Sequence, residues 1–173
     1  MNEAYENLLT RRSVRKYKSE QIKPEELDAV LKAGTYAPTA QGKQSPLIVA
    51  VQDAGDIARL SALNAEIMGT KSDPFYGAPT VVVVFAEAGN RNGVQDASLV
   101  LGNMMNAAHA IGLGSCWINR ARETFELPEG RELLKKWGVE GDWTGVGNCI
   151  LGYADGDAPA PAKRRDGYVK IVR

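Results

Sequence analysis

Two small clusters of basic residues are the first candidates for chemistry in this sequence. Three arginines and a serine lie close together near the N-terminus: Arg11, Arg12, Ser13 and Arg15. A second cluster follows a Pro- and Ala-rich segment near the C-terminus: Lys163, Arg164 and Arg165. Guanidinium groups bind phosphate through paired N–H donors, and a hydroxyl adds a neutral donor. A run of charge often simply faces solvent, but two small clusters in a chain without net charge favour a single phosphate monoester.

Two further segments carry groups that could contact a ligand. Residues 37–46 form a short connection rich in donors and acceptors, which suits either an ordinary loop or a binding loop. Residues 112–120 contain a G-x-G pattern that allows close backbone approach and exposes N–H groups after a strand. This pattern is not the dinucleotide fingerprint, because no third glycine follows at the required spacing.

Several kinds of active site are excluded by what the sequence lacks. The one histidine, His109, cannot make a zinc site, and Cys116 and Cys149 show no ligand spacing. Both cysteines are expected to be reduced core residues, and His109 a packed or surface residue. The sequence has no G-x-S-x-G elbow and no P-loop. An enzyme of this kind would therefore take its chemistry from an organic cofactor.

Length and charge restrict the class of protein further. The 173 residues predict one domain, residues 1–173. Lys+Arg 21 balances Asp+Glu 21, which argues against a nucleic-acid partner. The longest apolar run, Val81 to Ala86, is far shorter than the roughly 20 residues that span a bilayer. With no apolar stretch near the N-terminus, the sequence predicts a cytoplasmic protein without a membrane partner.

The elements that must position these residues alternate along the chain. Hydrophobic periodicity predicts helices at 2–12, 24–36, 57–67, 94–111 and 130–137, and strands at 47–52, 80–87, 115–118, 147–153 and 168–172. The strand at 80–87 is apolar on both faces and is expected to be central in the sheet. The pattern predicts an α+β fold of α/β-like character, with a central mixed sheet flanked by helices. The Pro-rich lead into the last strand suggests that this strand reaches a partner subunit.

The order and spacing of seven segments resemble the FMN-dependent nitroreductase family, over nearly the whole chain. These segments are LLTRRSVRKY, APTAQGKQSP, LNAE, FYGAPTVVVVFA, DASLVLGNMMNAAHAIGLGSCWI, CILGY and KRRDGYVKI. The short chain is similar to the compact bacterial and archaeal branch of that family. The resemblance implies a homodimer with FMN at the subunit boundary and a C-terminal strand that extends to the partner.

The resemblance also implies roles for individual residues. The FMN phosphate and ribityl chain would be bound by Arg11, Arg12, Ser13 and Arg15. The second phosphate anchor would combine Arg165 with either Lys163 or Arg164. Asn64 would bind the pyrimidine edge of the flavin.

Two backbone segments complete the implied site. One is a loop that would lie against the flavin: Pro38, Thr39, Ala40, Gly42 and Gln44. Such proteins supply this loop from the other subunit, and whether it contacts the flavin of its own chain or that of the partner is left open. The backbone beside flavin N5 would be that of Ile118, Asn119 and Arg120, and the Asn119 side chain would tune substrate choice.

The function implied by the resemblance is reduction of nitroaromatics, quinones or similar small acceptors in two half-reactions, with NADH or NADPH as electron donor. No dedicated acid–base residue is expected, since the flavin carries the chemistry. Alternatives on the same fold are flavin reduction, ene reduction, dehalogenation, and flavin sensing without turnover.

Overall fold

The computed structural model describes residues 2–173, and the element bounds follow from it. The helices of this part of the chain are α1 (Glu3–Thr10), α2 (Pro24–Thr35), α3 (Ala54–Met68), α4 (Gly93–Ala110), α5 (Ala121–Glu126) and α6 (Pro128–Lys136). Its strands are β1 (Leu47–Val51), β2 (Thr80–Glu87), β3 (Gly114–Ile118) and β4 (Trp143–Gly152). A short 3₁₀ helix lies at Ala40–Gly42. The predicted α+β class is confirmed.

The four strands form one sheet in the order β1-β2-β4-β3, and every neighbouring pair is antiparallel. The central position predicted for residues 80–87 is confirmed, since β2 lies between β1 and β4. For these four strands the prediction of a mixed sheet is wrong, because every neighbouring pair is antiparallel. β2 and β3, which α4 connects, run in the same direction, but they do not pair because β4 lies between them. Among the described residues, parallel pairing is limited to the isolated bridge between Ser13 and Ser115.

Side chains of β2 alternate between the two faces of the sheet, as the strand period of two requires. Val81, Val83 and Phe85 pack on one side against α3, α5 and α6. Val82 and Val84 pack on the other side against α2 and α4. The sheet is therefore covered on both faces, which explains the uninterrupted apolar sequence of this strand.

Both cysteines are free and buried, as the sequence predicted. Cys116 belongs to the cluster with α3, α5 and α6, and Cys149 to the cluster with α2 and α4. Burial raises the pKa of the Cys149 thiol to about 12. This thiol therefore stays protonated and acts as a small apolar core residue.

Local signals fix the ends of the helices that support the sheet. Pro24 begins α2, and Glu26 accepts a hydrogen bond from the Lys23 backbone N–H at 2.8 Å. Asp53 accepts from the Asp56 N–H at 2.9 Å at the start of α3. The six-residue α5 was not predicted, because so short a segment shows too little periodicity.

The strand predicted at 168–172 is not formed within the single chain, and its extension to a partner subunit stays a prediction. The structure assigns no strand to these residues, and their apolar side chains are exposed: Tyr168, Val169, Ile171 and Val172. The physical reason is that no backbone of the same chain lies beside the segment to complete a ladder. No helix within residues 2–173 is both long and apolar enough to cross a membrane.

Candidate functional site

The arginine-rich segment is fixed against the outer edge of β3. Ser13 forms the parallel bridge with Ser115, and the Val14 N–H donates to the Ser115 carbonyl at 3.0 Å. Gly114 permits this approach, because a Cβ at that position would lie 3.0 Å from Val14 Cγ1. The segment after α1 is therefore held along β3 by backbone contacts, which leaves its side chains available.

The guanidinium groups of Arg11 and Arg12 are used differently. Arg12 Nη1 donates to the carbonyls of Leu9 and Arg11, both at 2.8 Å. It therefore caps the C-terminal end of α1. Arg11 Nη1 is buried and has no hydrogen-bond partner among the described residues. An unpaired buried donor costs about 1–3 kcal/mol. Arg12 Nε is buried without a partner as well, so both arginines keep an unused donor for an anion.

A buried asparagine from α3 meets the other end of β3. Asn64 is 1% exposed, and its Nδ2 donates to the Asn119 carbonyl at 2.8 Å. Its Oδ1 is buried and finds no donor in the described chain. The arrangement presents one unused acceptor at the point where β3 ends.

The two residues after β3 are exposed and are held by local contacts. The Asn119 Oδ1 accepts from Trp117 Nε1 at 2.9 Å. Arg120 has a φ of 75°, and its guanidinium pairs with Glu123 at 2.8 Å in the first turn of α5. A positive φ is uncommon in a residue other than glycine. The backbone N–H groups of Asn119 and Arg120 have no acceptor among residues 2–173 and are free groups of this turn.

These groups lie at the two ends of one strand, β3. Ser13 and Ser115 mark its beginning, while Asn64 and Asn119 mark its end. Four residues of strand span about 13 Å at about 3.3 Å per residue. An elongated ligand with an anionic end could therefore contact both groups. The Ser115 hydroxyl is a further buried group that lacks a partner within residues 2–173.

The loop at 38–44 is not brought to this edge by its own chain. The Ala40 N–H donates to Asp96 Oδ1 at 3.0 Å, and the Gln44 N–H donates to Thr39 Oγ1 at 2.9 Å. Gly42 and Gln44 both adopt positive φ, 67° and 51°, and Pro38 is exposed. The hydrogen bonds of the loop therefore run to α4 and to itself.

The C-terminal basic cluster is also separate from the arginine-rich segment in the single chain. Lys163 is exposed, Arg164 donates to the Ala162 carbonyl at 2.6 Å, and the Arg165 guanidinium lies 5.3 Å from the centroid of the Tyr168 ring. Across residues 2–173 no hydrogen bond or ion pair connects this cluster with residues 11–15. Whether the two clusters share one phosphate stays a prediction.

Two features of β4 that support the site were not recognised from the sequence. Asn148 is buried, and its Nδ2 donates to the carbonyls of Ile118 and Asn119 at 3.2 and 3.4 Å. At Gly147 a Cβ would lie 2.7 Å from Trp117 Nε1. The sequence does hold a signal for Asn148, because it is a polar residue at the start of the otherwise apolar segment NCILGY. The glycine requirement depends on packing across strands and has no local signal.

His109 contacts the segment that leads into the site. Its Nε2 lies 2.9 Å from Thr10 Oγ1, and the Thr10 hydroxyl donates to the Glu6 carbonyl at 2.8 Å. Nε2–H is therefore the donor in this pair. Burial, together with the charges of Arg11 and Arg12, lowers the pKa of His109. His109 is half-buried, which agrees with the prediction of a packed or surface residue.

The comparisons with known proteins agree with this geometry. The family described as "Nitroreductase family" matches residues 8–153. A protein of Archaeoglobus fulgidus, provisionally named NADH dehydrogenase/NAD(P)H nitroreductase, is 30% identical over 78% of this chain and 77% of its own length. The FMN reductase [NAD(P)H] of Bacillus subtilis strain 168 is 28% identical over 75% of this chain and 61% of its own.

A solved structure extends the similarity to the full fold. The crystal structure of a nitroreductase with bound FMN from Bacteroides fragilis is 29% identical, has a TM-score of 0.92, and covers 100% of both chains. Sequence and fold agree over most of the chain, including both ends of β3. The chain therefore belongs to the nitroreductase family.

Proposed function

We propose that this protein is an FMN-dependent oxidoreductase that uses NADH or NADPH to reduce nitroaromatics, quinones or similar small acceptors. The observation that carries the proposal is the pair of unused buried groups at the two ends of β3, Arg11 Nη1 and Asn64 Oδ1. A donor for phosphate and an acceptor for an imide N–H are the groups that the two ends of FMN require. The similar Bacteroides fragilis nitroreductase contains bound FMN.

The proposed roles follow from the contacts on the edge of β3. Arg11, Ser13 and Arg15 would hold the phosphate and the ribityl chain, where Arg guanidinium and serine hydroxyl donors suit anionic oxygens. Asn64 would accept the pyrimidine N–H through its free Oδ1. Arg12 would contribute less, since its Nη1 is already used at the end of α1.

Bound FMN supplies hydride acceptance from NAD(P)H and electron donation to the second substrate. The protein contributes position and charge, because a cluster of cations and N–H dipoles stabilises negative charge in a site that excludes water. Asn119 and Arg120 present backbone N–H groups beside the proposed ring position. Neither His109 nor a cysteine is placed to act as acid or base, since His109 bonds Thr10 and both cysteines are buried.

A homodimer is the proposed assembly, with the flavin at the boundary between subunits. The outward face of α1 is apolar and exposed at Tyr5, Leu8 and Leu9. The tail after residue 167 exposes a second apolar stretch. Exposed apolar patches of this kind indicate a protein interface.

The dimer would also complete the site. In one chain, the loop at 38–44 and the basic cluster at 163–165 lie apart from the edge of β3. Contact from the partner subunit would bring Pro38, Thr39 and Gln44 to the flavin, with Lys163 and Arg165 as second phosphate anchors. The proposed location of the assembly is the cytoplasm, as expected from the sequence.

The visible spectrum of the purified protein tests this proposal most directly. A yellow protein whose flavin absorbance bleaches on anaerobic addition of NADH or NADPH, and recovers with a nitroaromatic or quinone, is the expected result. Heat release of the cofactor should yield FMN, because the sequence carries no adenylate-binding fingerprint. Recovery of mainly FAD, or a protein that binds no flavin, would overturn the assignment.

Reduction of free flavin is the second candidate, and the similarity to the Bacillus subtilis FMN reductase favours it. Steady-state rates with excess FMN and with a nitroaromatic, at equal NADH, distinguish the two reactions. A rate that saturates with added FMN and stays negligible with the nitroaromatic would support flavin reduction. Bound flavin that never bleaches with either nicotinamide would indicate a sensor.

A further inference from the structure

A buried asparagine of β4 holds the turn that follows β3. Asn148 is 2% exposed and faces Ile118 in the last pair of the β3–β4 ladder. Its Nδ2 donates to the Ile118 carbonyl at 3.2 Å and to the Asn119 carbonyl at 3.4 Å. The side chain therefore extends the hydrogen bonding of β4 one residue beyond the end of the strand pair.

These contacts set the direction of two peptide groups. In a trans peptide the C=O and the following N–H point in opposite directions. Because the carbonyls of residues 118 and 119 are directed at Asn148, the N–H groups of Asn119 and Arg120 are directed away from it, toward the exposed side of the turn. Neither N–H has an acceptor in the described part of the chain. Two neighbouring donors thus point away from Asn148, toward the position proposed for the flavin.

The turn is not in a relaxed conformation and needs to be held. Arg120 has a φ of 75°, which costs energy for a residue with a Cβ. Asn64 supplies a second hydrogen bond to the Asn119 carbonyl, at 2.8 Å. Asn148 is the residue in contact with both carbonyls, and it touches none of the groups proposed to bind the phosphate.

We propose that Asn148 is a positioning residue, which fixes residues 118–120 so that the N–H groups of Asn119 and Arg120 point at the N5 edge of FMN. This inference rests on the proposed function. Donors aimed at the ring stabilise the added electron density of the reduced cofactor. Asn148 thereby raises both the affinity for FMN and its reduction potential, without contact with FMN or substrate.

The test compares Asn148→Leu and Asn148→Asp with a matched control. Asn148→Leu keeps the branching of the side chain and removes the donor, although leucine is larger, whereas Asn148→Asp keeps both size and shape and replaces the donor with acceptors. Asn103→Leu is the control, because Asn103 Nδ2 also donates to a backbone carbonyl, that of Ala33 at 3.2 Å, away from the turn. For each protein, the Kd for FMN is measured by fluorescence titration, and the midpoint potential of bound FMN by a reductive titration.

Both Asn148 variants are expected to bind FMN about tenfold more weakly. Their bound FMN is expected to have a midpoint potential lower by about 30 mV, which corresponds to a tenfold change in a two-electron equilibrium. Asn103→Leu is expected to match the wild type in both quantities. Folded Asn148 variants with the Kd and potential of the wild type would overturn the proposal.

A measurement on the wild type covers the case in which the variants do not fold. The amide signals of Asn119 and Arg120, observed by NMR, are expected to shift when FMN is added to the apoprotein. Saturation with FMN that leaves both signals unchanged would overturn the positioning role while the proposed function stands. A wild type that binds no FMN would instead overturn the proposed function and this inference with it.

Discussion

Ser13 pairs with Ser115 in a parallel bridge, which joins the arginine-rich segment to the strand that ends at the proposed flavin ring position. Two segments that are separated by about a hundred residues in the sequence therefore form one continuous edge.

Removal of the Arg11 guanidinium should weaken FMN binding much more than it weakens the fold. A charged hydrogen bond contributes about 1.5–3 kcal/mol, and the upper value corresponds to about a hundredfold in affinity. Arg11→Ala and Arg15→Ala are therefore expected to raise the Kd for FMN by up to about a hundredfold in fluorescence titrations. Arg122→Ala is the control, since Arg122 is exposed and pairs only with Glu126, at 3.4 Å. Full flavin content in both site variants would contradict the phosphate assignment.

Addition of a methyl group at Gly147 should destabilise the sheet beside the site. A Cβ there would lie 2.7 Å from Trp117 Nε1 and 2.9 Å from Leu101 Cδ1. Overpacking of this kind costs about 1–3 kcal/mol, so the free energy of unfolding in urea should fall by that amount in Gly147→Ala. Gly102→Ala, on α4 with nothing within 4 Å of its Cβ, should lose no stability. Equal stabilities of the two variants would show that Trp117 moves aside freely.

The contact between α3 and α6 should make stability depend on pH in the acidic range. Asp56 accepts hydrogen bonds from Lys136 Nζ at 2.6 Å and from Trp137 Nε1 at 2.8 Å. The hydrogen bond from Lys136, followed by that from Trp137, lowers the pKa of Asp56. A carboxylate with a lowered folded pKa stabilises the fold above its unfolded pKa of about 3.9, and this contribution is lost as the pH falls through the folded value.

Urea unfolding of the wild type and of Asp56→Asn over a range of pH measures this effect. The wild type should be the more stable protein near neutral pH, and the difference should shrink as the pH falls below about 4. Glu126→Gln alters an exposed pair, which contributes little to stability, and should follow the wild type throughout. A difference between wild type and Asp56→Asn that stays constant down to the acid transition would refute the linkage.

Deletion of residues 167–173 should weaken both the dimer and flavin retention. The segment exposes Tyr168, Val169 and Ile171 in the single chain, and we expect these side chains to bind the partner subunit. Permanent interfaces usually bury about 2,000 Å² or more, so loss of this segment should produce monomer on dilution. Sedimentation and flavin absorbance of the same sample provide the measurement.

A full-length variant separates the two roles of the tail. Arg165→Ala should lower flavin content but leave the dimer intact, since it removes a proposed phosphate anchor without removing the apolar segment. A truncated protein that remains a fully yellow dimer would show that the tail supports neither assembly nor cofactor.

Residue type and periodicity alone determined the α+β class, the central position of β2 and the core location of both cysteines. The sequence VVVVFA requires apolar contacts on both faces of a strand, whatever the rest of the chain does. The candidate residues Arg11, Asn64 and Asn119 also came from the sequence, through local composition and family resemblance.

Tertiary structure decided which of these groups are available and what holds them. Arg12 Nη1 bonds the end of its own helix, a local contact, whereas the burial of Arg12 Nε, Arg11 Nη1 and Asn64 Oδ1 without partners depends on the packing of distant elements. The role of Asn148 also depends on tertiary structure, because its two hydrogen bonds join β4 to the end of β3. The position of β4 between β2 and β3 is likewise set by contacts between distant segments. Local sequence determines periodicity and helix ends, because these depend on neighbours along the chain. Strand order, burial of a single polar atom and the conformation of the unpaired tail depend on contacts between residues far apart in sequence.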